Sequence, residues 1–344
     1  MDDARTNSAL RKLADSFLND LRPSGPSGKL AGWGQFVGQK SGAQVGLYGT
    51  CAGVVTTALA YGEDRIPRQA IDYLAQLWEQ RDSVDTEGPR YFALTTRLAF
   101  FLLALRQARV QSLKTIMPEV DTALRSRLLH DGMIRSWQID DARRGATGDE
   151  FSTAMCILAH SLTVQAKTDI APEIRRAAEA LQARIEGSPP VNIGVRKFCL
   201  TAVTTALEER FVTRKLSRMV RSNTPRKHNR DQDSLYFWDY WFLGPKGDTS
   251  KRDYFHVPSD ALDVLLAFGS TAGGAQRAAA CDLATNDIDT ILEAGLYYAG
   301  RELATSNNQA WIALALSKTK SMTGGETPSG LAKRVRDYWW GKQT

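Results

Sequence analysis

The 344-residue sequence predicts an all-α fold, an α/α toroid in which about twelve helices form two concentric rings. Three observations predict it. First, a small or hydroxylated opening to an apolar helix recurs about every 50 residues. It appears at Gly49-Thr50-Cys51, Thr95-Thr96, Ser152-Thr153-Ala154, Thr201-Ala202 and Ser259-Asp260-Ala261, and more faintly at Asn307-Asn308-Gln309-Ala310. Second, helices that open on this signal are apolar, whereas those between them, such as 173–181, are amphipathic. That alternation separates inner helices packed on all sides from outer helices with one wet face. Third, period-two alternation of apolar residues is missing over any useful length, so no strand is predicted. An open α-solenoid is the alternative. Its repeats commonly run about 33–47 residues and leave both helix sets wet, which fits less well.

The elements follow in order. Leu10, Leu13, Phe17, Leu18 and Leu21 stand at helical spacing over 7–21. Gly25, Gly28 and the prolines at 23 and 26 end that segment. A Gly-rich loop runs from Gly32 to Gly49 before the helix that starts at Thr50. Pro67 opens a helix carrying Ala70, Leu74, Leu77 and Trp78. Tyr91 opens a strongly apolar one reaching Leu105. Further helices are predicted at 115–129, 151–165, 171–186, 194–221, 259–269, 282–302, 308–317 and 328–340. No Pro/Gly/Ser linker divides the chain, so 1–344 reads as one domain with an irregular aromatic and basic insertion at 222–257.

Composition narrows the function classes. Cys51, Cys156, Cys199 and Cys281 form no CxxC or Cys/His pair at metal spacing, so no metal site is expected, and no cofactor. The first three lie in apolar helical patterns and read as buried free thiols. The start, Met1-Asp2-Asp3-Ala4-Arg5, has no apolar signal core, and no stretch of about 18 apolar residues occurs. A cytoplasmic protein without membrane insertion is the expectation.

Helix openings such as Gly148-Asp149-Glu150-Phe151-Ser152-Thr153-Ala154 and Val257-Pro258-Ser259-Asp260-Ala261-Leu262 resemble those of the terpenoid cyclase and protein prenyltransferase superfamily, over about residues 30–320. The resemblance implies two concentric helix rings around a central cavity. The catalytic motifs of that superfamily do not carry over. Asp140-Asp141 is followed by Ala142-Arg143-Arg144, which lacks the last aspartate of DDxxD, and neither DxDD nor Asp-x-Cys occurs.

Acid and base candidates remain. Glu150 and Asp260 stand at predicted inner-helix N-termini, where carboxylates could face the barrel mouth. Asp140, Asp149 and Asp263 are further acid/base candidates, and the alternative is helix capping and dipole complementation. His256 directly precedes an inner helix and is the histidine to consider first, whereas His160 lies within an apolar helix and reads as a core residue. The loop around Lys40-Ser41 lacks the glycine spacing of a P-loop.

Two neighbouring features are denser in signal. Between positions 210 and 230 stand eight basic residues and no acidic one, against a net charge of +6 for the whole chain, so the basicity is local. Arg210, Arg214, Arg218 and Arg221 fall on one stripe of a single predicted helix, and Lys227 follows in a basic loop. Beyond lies Tyr236-Phe237-Trp238-Asp239-Tyr240-Trp241-Phe242, six aromatic residues in seven. Guanidinium groups suit carboxylate or phosphate, and Tyr236, Trp238 and Trp241 suit apolar anchoring. The sequence therefore predicts a non-catalytic interaction protein that recognises an acidic partner, a protein surface first and nucleic acid second. The competing prediction is an enzyme whose central cavity takes a small apolar or sugar-like molecule, with Glu150, Asp260 and His256 as its acid/base groups. A filled centre distinguishes the first from the second.

Overall fold

The computed structural model describes residues 3–25, 27–34, 44–82, 92–136, 148–164, 166–190, 193–223 and 306–323. These residues are mostly helical, as the apolar patterning requires. The helices predicted at 259–269, 282–302 and 328–340 lie outside the described residues, as does most of the insertion at 222–257.

Five apolar helices form the centre: α2 (Leu47–Tyr61), α4 (Thr95–Ala108), α7 (Glu150–Ser161), α9 (Ile193–Ala206) and α11 (Ser306–Thr323). Each buries a full run regardless of helical face, over 49–57, 98–105, 152–162, 197–207 and 309–316. A helix buried all round must have neighbours on every side. Those neighbours are in part the other helices of the set, which pack in the order α11, α2, α4, α7, α9. The set runs parallel. Tyr48 Oη and Thr96 Oγ1, near the starts of α2 and α4, are 3.2 Å apart. Arg106, near the end of α4, donates to Thr163 just past α7 at 3.4 Å. Phe151 meets Phe198 near the starts of α7 and α9, and Ser161 and Thr205 share a 2.7 Å hydrogen bond near their ends.

Amphipathic helices lie outside this set. α1 (Asp3–Leu18) covers α2 and α11, α3 (Arg68–Glu79) lies on α2, and α6 (Met117–Arg125) on α4. The four-residue α5 (Gln111–Lys114) fills the turn between α4 and α6 and touches α3. α8 (Pro172–Gly187) covers α7 and α9, and buries Ile174, Ala177, Ala178, Leu181 and Ile185 at three- and four-residue spacing. α10 (Arg214–Asn223) rests on α9 and α8 through buried Leu216 and Val220.

Two features depart from the expected elements. A short antiparallel ribbon, β1 (Arg22–Ser24) and β2 (Leu30–Gly32), stands where only a turn was expected, with Gly25 and Gly28 at φ of 76° and 61°. Three residues a side are too few for period-two alternation to register. The helix expected over 194–221 is broken. α9 ends at Ala206, a 3₁₀ turn spans Glu209–Phe211, and α10 starts afresh with Thr213 Oγ1 accepting the Leu216 N–H at 3.1 Å. The Thr201 opening therefore sits in the third turn of α9, not at its start.

One local device occurs twice. Before α2, the Trp33 carbonyl accepts from Gly46 N at 3.0 Å, and its N–H donates to Thr50 Oγ1 at 3.3 Å. Before α7, Ile134 does the same with Asp149 N at 3.2 Å and Thr153 Oγ1 at 3.0 Å. The next carbonyl along each extended segment accepts a hydroxyl from the neighbouring inner helix. Ser306 of α11 donates to Gly34 at 2.7 Å, and Thr95 of α4 donates to Arg135. By this measure α11 stands to α2 as α4 stands to α7, although the first pair lies at opposite ends of the chain.

Candidate functional site

Aromatic rings join the apolar helices to one another. Trp311 of α11 meets Phe198 of α9 at 5.1 Å and Phe100 of α4 at 6.2 Å between centroids. Phe100 continues to Tyr48 of α2 at 5.8 Å, and Phe198 to Phe151 of α7 at 5.3 Å. Each inner helix thus contributes one ring to a continuous cluster. At the far end, Lys318 of α11 donates to the Leu162 carbonyl past α7 at 2.8 Å.

Of the acid/base candidates, Glu150 is described and Asp260 and His256 lie outside the described residues. Glu150 is the first residue of α7, where a carboxylate complements the helix dipole. Its Oε1 accepts from Arg184 Nε of α8 at 2.9 Å, an ion pair between inner and outer helices. Asp149 caps the same helix by accepting the Ser152 N–H at 2.8 Å, and burial raises its carboxyl above the usual range. Both carboxylates hold structure at this terminus.

His160 is a core residue, as its sequence context predicts. Its Nε2 lies 3.2 Å from Asp121 Oδ1 of α6, and Arg106 Nη2 lies 3.5 Å from the same oxygen. Arg125 pairs with the other oxygen of Asp121 and stands 3.9 Å from Glu173 of α8. Burial first, then Arg106, push the imidazole down to about 3, so it is neutral. Burial likewise pushes the nearby Cys156 thiol up to about 12, and Cys51 and Cys199 well above the usual thiol range. These thiols are free, buried and unreactive. Among the described residues, no cluster of three His, Cys, Asp or Glu side chains could hold a metal ion, and no helix is long and apolar enough to cross a membrane.

The α10 face is different in kind. Arg214, Lys215 and Arg218 are exposed, while Leu216 and Val220 point inward. Lys215 reaches the Glu186 carbonyl at 2.5 Å. Arg214 and Arg218 stand one turn apart and have no carboxylate partner among the described residues. Arg210 does not continue their stripe. It belongs to the preceding 3₁₀ turn, pairs with Glu208 at 3.2 Å, and lies over the Phe211 ring at 4.7 Å. Arg221 lies in α10, and Lys227, Tyr236, Trp238 and Trp241 lie outside the described residues.

Sequence reasoning missed Phe211, which is 41% exposed and is the one large exposed hydrophobic side chain among the described residues. Phe211 lies in the 3₁₀ turn between α9 and α10, at a break in the helix expected over 194–221, just before Thr213 caps α10. No family model and no curated protein matches this chain.

Proposed function

We propose that this protein is a non-catalytic interaction module, an α/α toroid with a filled centre that binds an acidic protein surface through the outer face of α10. The observation that carries the reading is the pair Arg214 and Arg218, exposed one turn apart and without carboxylate partners among the described residues, directly after the exposed Phe211. Exposed paired arginines are ordinary, whereas unpaired ones beside an exposed aromatic ring have the composition of a recognition surface. Guanidinium forks bind carboxylates bidentately, and the ring supplies an apolar anchor.

The toroid is supported by the α11–α2 contact. Ser306 reaches Gly34 as Thr95 reaches Arg135, which sets the last described helix beside the first inner helix. A ring like that of the terpenoid cyclase superfamily has this neighbour relation, and an open solenoid does not. The contacts of Trp311 with Phe198 and Phe100, which join α11, α9 and α4 by large rings, support a centre filled by side chains over one open to a substrate.

Affinity capture from lysate at low and high salt, with and without nuclease, tests the reading. A partner retained after nuclease treatment and released by salt supports a protein surface. Loss of every partner on nuclease treatment moves the assignment to nucleic acid, whose binding is steeply salt-dependent. Recovery unaffected by the double substitution Arg214→Glu and Arg218→Glu removes α10 from recognition.

A further inference from the structure

A cavity of about 520 Å³ opens between the outer helices α3 and α6, away from α10. Its floor is apolar, with Trp78, Phe92 and Leu98, each buried. Its mouth carries charges that compensate one another. Glu119 accepts the Trp78 indole N–H at 3.0 Å and stands 3.7 Å from Arg81, which is 3.9 Å from Asp82 and stacks over the Trp78 ring at 4.7 Å.

Arg127, at the inner wall, has no carboxylate partner among the described residues. Its side chain is 6% exposed and forms no ion pair among the described residues. Nη1 donates to the Ala93 carbonyl at 3.0 Å and Thr95 Oγ1 at 2.9 Å, and Nη2 to the Phe92 carbonyl at 2.5 Å. These bonds fasten the chain entering α4. They use three of the five guanidinium N–H groups, leaving Nε–H and one Nη2–H without a protein acceptor among the described residues. That edge is the one a carboxylate engages in a fork. Burial lowers the guanidinium to about 10. A buried cation of this kind is costly unless an anion completes it.

We infer that this cavity binds a small organic carboxylate, its anionic head on the Nε/Nη2 edge of Arg127 and its apolar body against Trp78, Phe92 and Leu98. The volume lies within the range of small-molecule sites. The exposed acids at the mouth disfavour polyanions, so inorganic phosphate should bind poorly. The site is separate from the α10 face and stands or falls independently of it.

Isothermal titration of the intact protein with phenylacetate, phenylacetamide and inorganic phosphate tests the inference. Saturable binding of phenylacetate is expected, weaker by roughly ten- to a hundredfold for the amide, which lacks the charge that strengthens the hydrogen bonds. Thr122→Trp, which fills the cavity from its exposed wall, should abolish binding while the circular-dichroism spectrum stays that of the parent. Arg127→Met should do the same if it folds. Absence of saturable phenylacetate binding to the parent protein overturns the inference. So does equal affinity for acid and amide, or unchanged binding in Thr122→Trp.

Discussion

Trp311 touches Phe198 on one side and Phe100 on the other, which joins helices that are distant in sequence. Truncation there removes a fully buried indole from a site with little room to collapse. Trp311→Ala should cost about 3–5 kcal/mol in denaturant melts, and a loss below about 1 kcal/mol would mean the ring cluster is loosely packed. The sequence did not single out Trp311. It follows the faint opening Asn307-Asn308-Gln309-Ala310, and within an apolar helix one tryptophan looks like any core residue. Its bridging role depends on which helices meet, and periodicity does not carry that information. His160 was legible, because an imidazole inside an apolar run has few other fates. Its folded form titrates near 3 against an ordinary 6.5, with Asp121, Arg106, Arg125 and Cys156 around it. A depressed folded value means the unfolded chain takes up the proton first. Stability from this group is therefore full above about 6.5 and falls as pH drops toward about 3. Urea melts across that window should show His160→Gln losing stability less steeply than the parent. Parallel slopes would show that His160 does not contribute to the acid sensitivity.

At the scale of elements, the paired device before α2 and α7 explains the hydroxyls of the repeat at Thr50 and Thr153. Thr50 and Thr153 accept the N–H of an extended residue that would otherwise be buried without a partner. Thr153→Val keeps the shape and removes the acceptor, so it should cost about 1–3 kcal/mol, and Thr50→Val a similar amount. Thr153→Ser should restore most of it. Gly53 leaves room for the Trp33 ring of this device. A Cβ there would stand 2.3 Å from the Trp33 ring, and at Gly49 it would stand 2.0 Å from the Gly34 carbonyl oxygen. Gly53→Ala should destabilise although alanine gains about 1 kcal/mol in helix propensity, and a raised melting temperature would contradict the packing of Trp33 on α2. The inner and outer helix types were legible from apolar content, because burial on every side demands it. The ribbon at 22–32 and the break at 207–213 were not. Both are short, and their determinants are two positive-φ glycines and one threonine cap.

At the scale of the molecule, the scaffold and the proposed recognition surface use different chemistry. The inner helices are apolar and joined by aromatic rings, and α11 packs against α2. The exposed arginines of α10 contribute little to this packing, since exposed charges are worth at most about 1 kcal/mol. The sequence located this basic stretch but placed Arg210 on the same helix. The structure separates it, in a 3₁₀ turn that also carries the exposed Phe211. The all-helical class followed from the missing period-two pattern, whereas the neighbour relation of α11 and α2 follows only from three-dimensional contacts. The most direct measurement is of binding and melting together, in the same preparation, for the parent and for the variant carrying Arg214→Glu and Arg218→Glu. Fluorescence anisotropy with a labelled polyglutamate peptide reports binding over a salt series. The expected result is an unchanged melting temperature, a parent affinity that falls with salt, and at least a tenfold loss in the variant, the equivalent of about 1.4 kcal/mol. Equal affinity of parent and variant across the series would contradict recognition through α10.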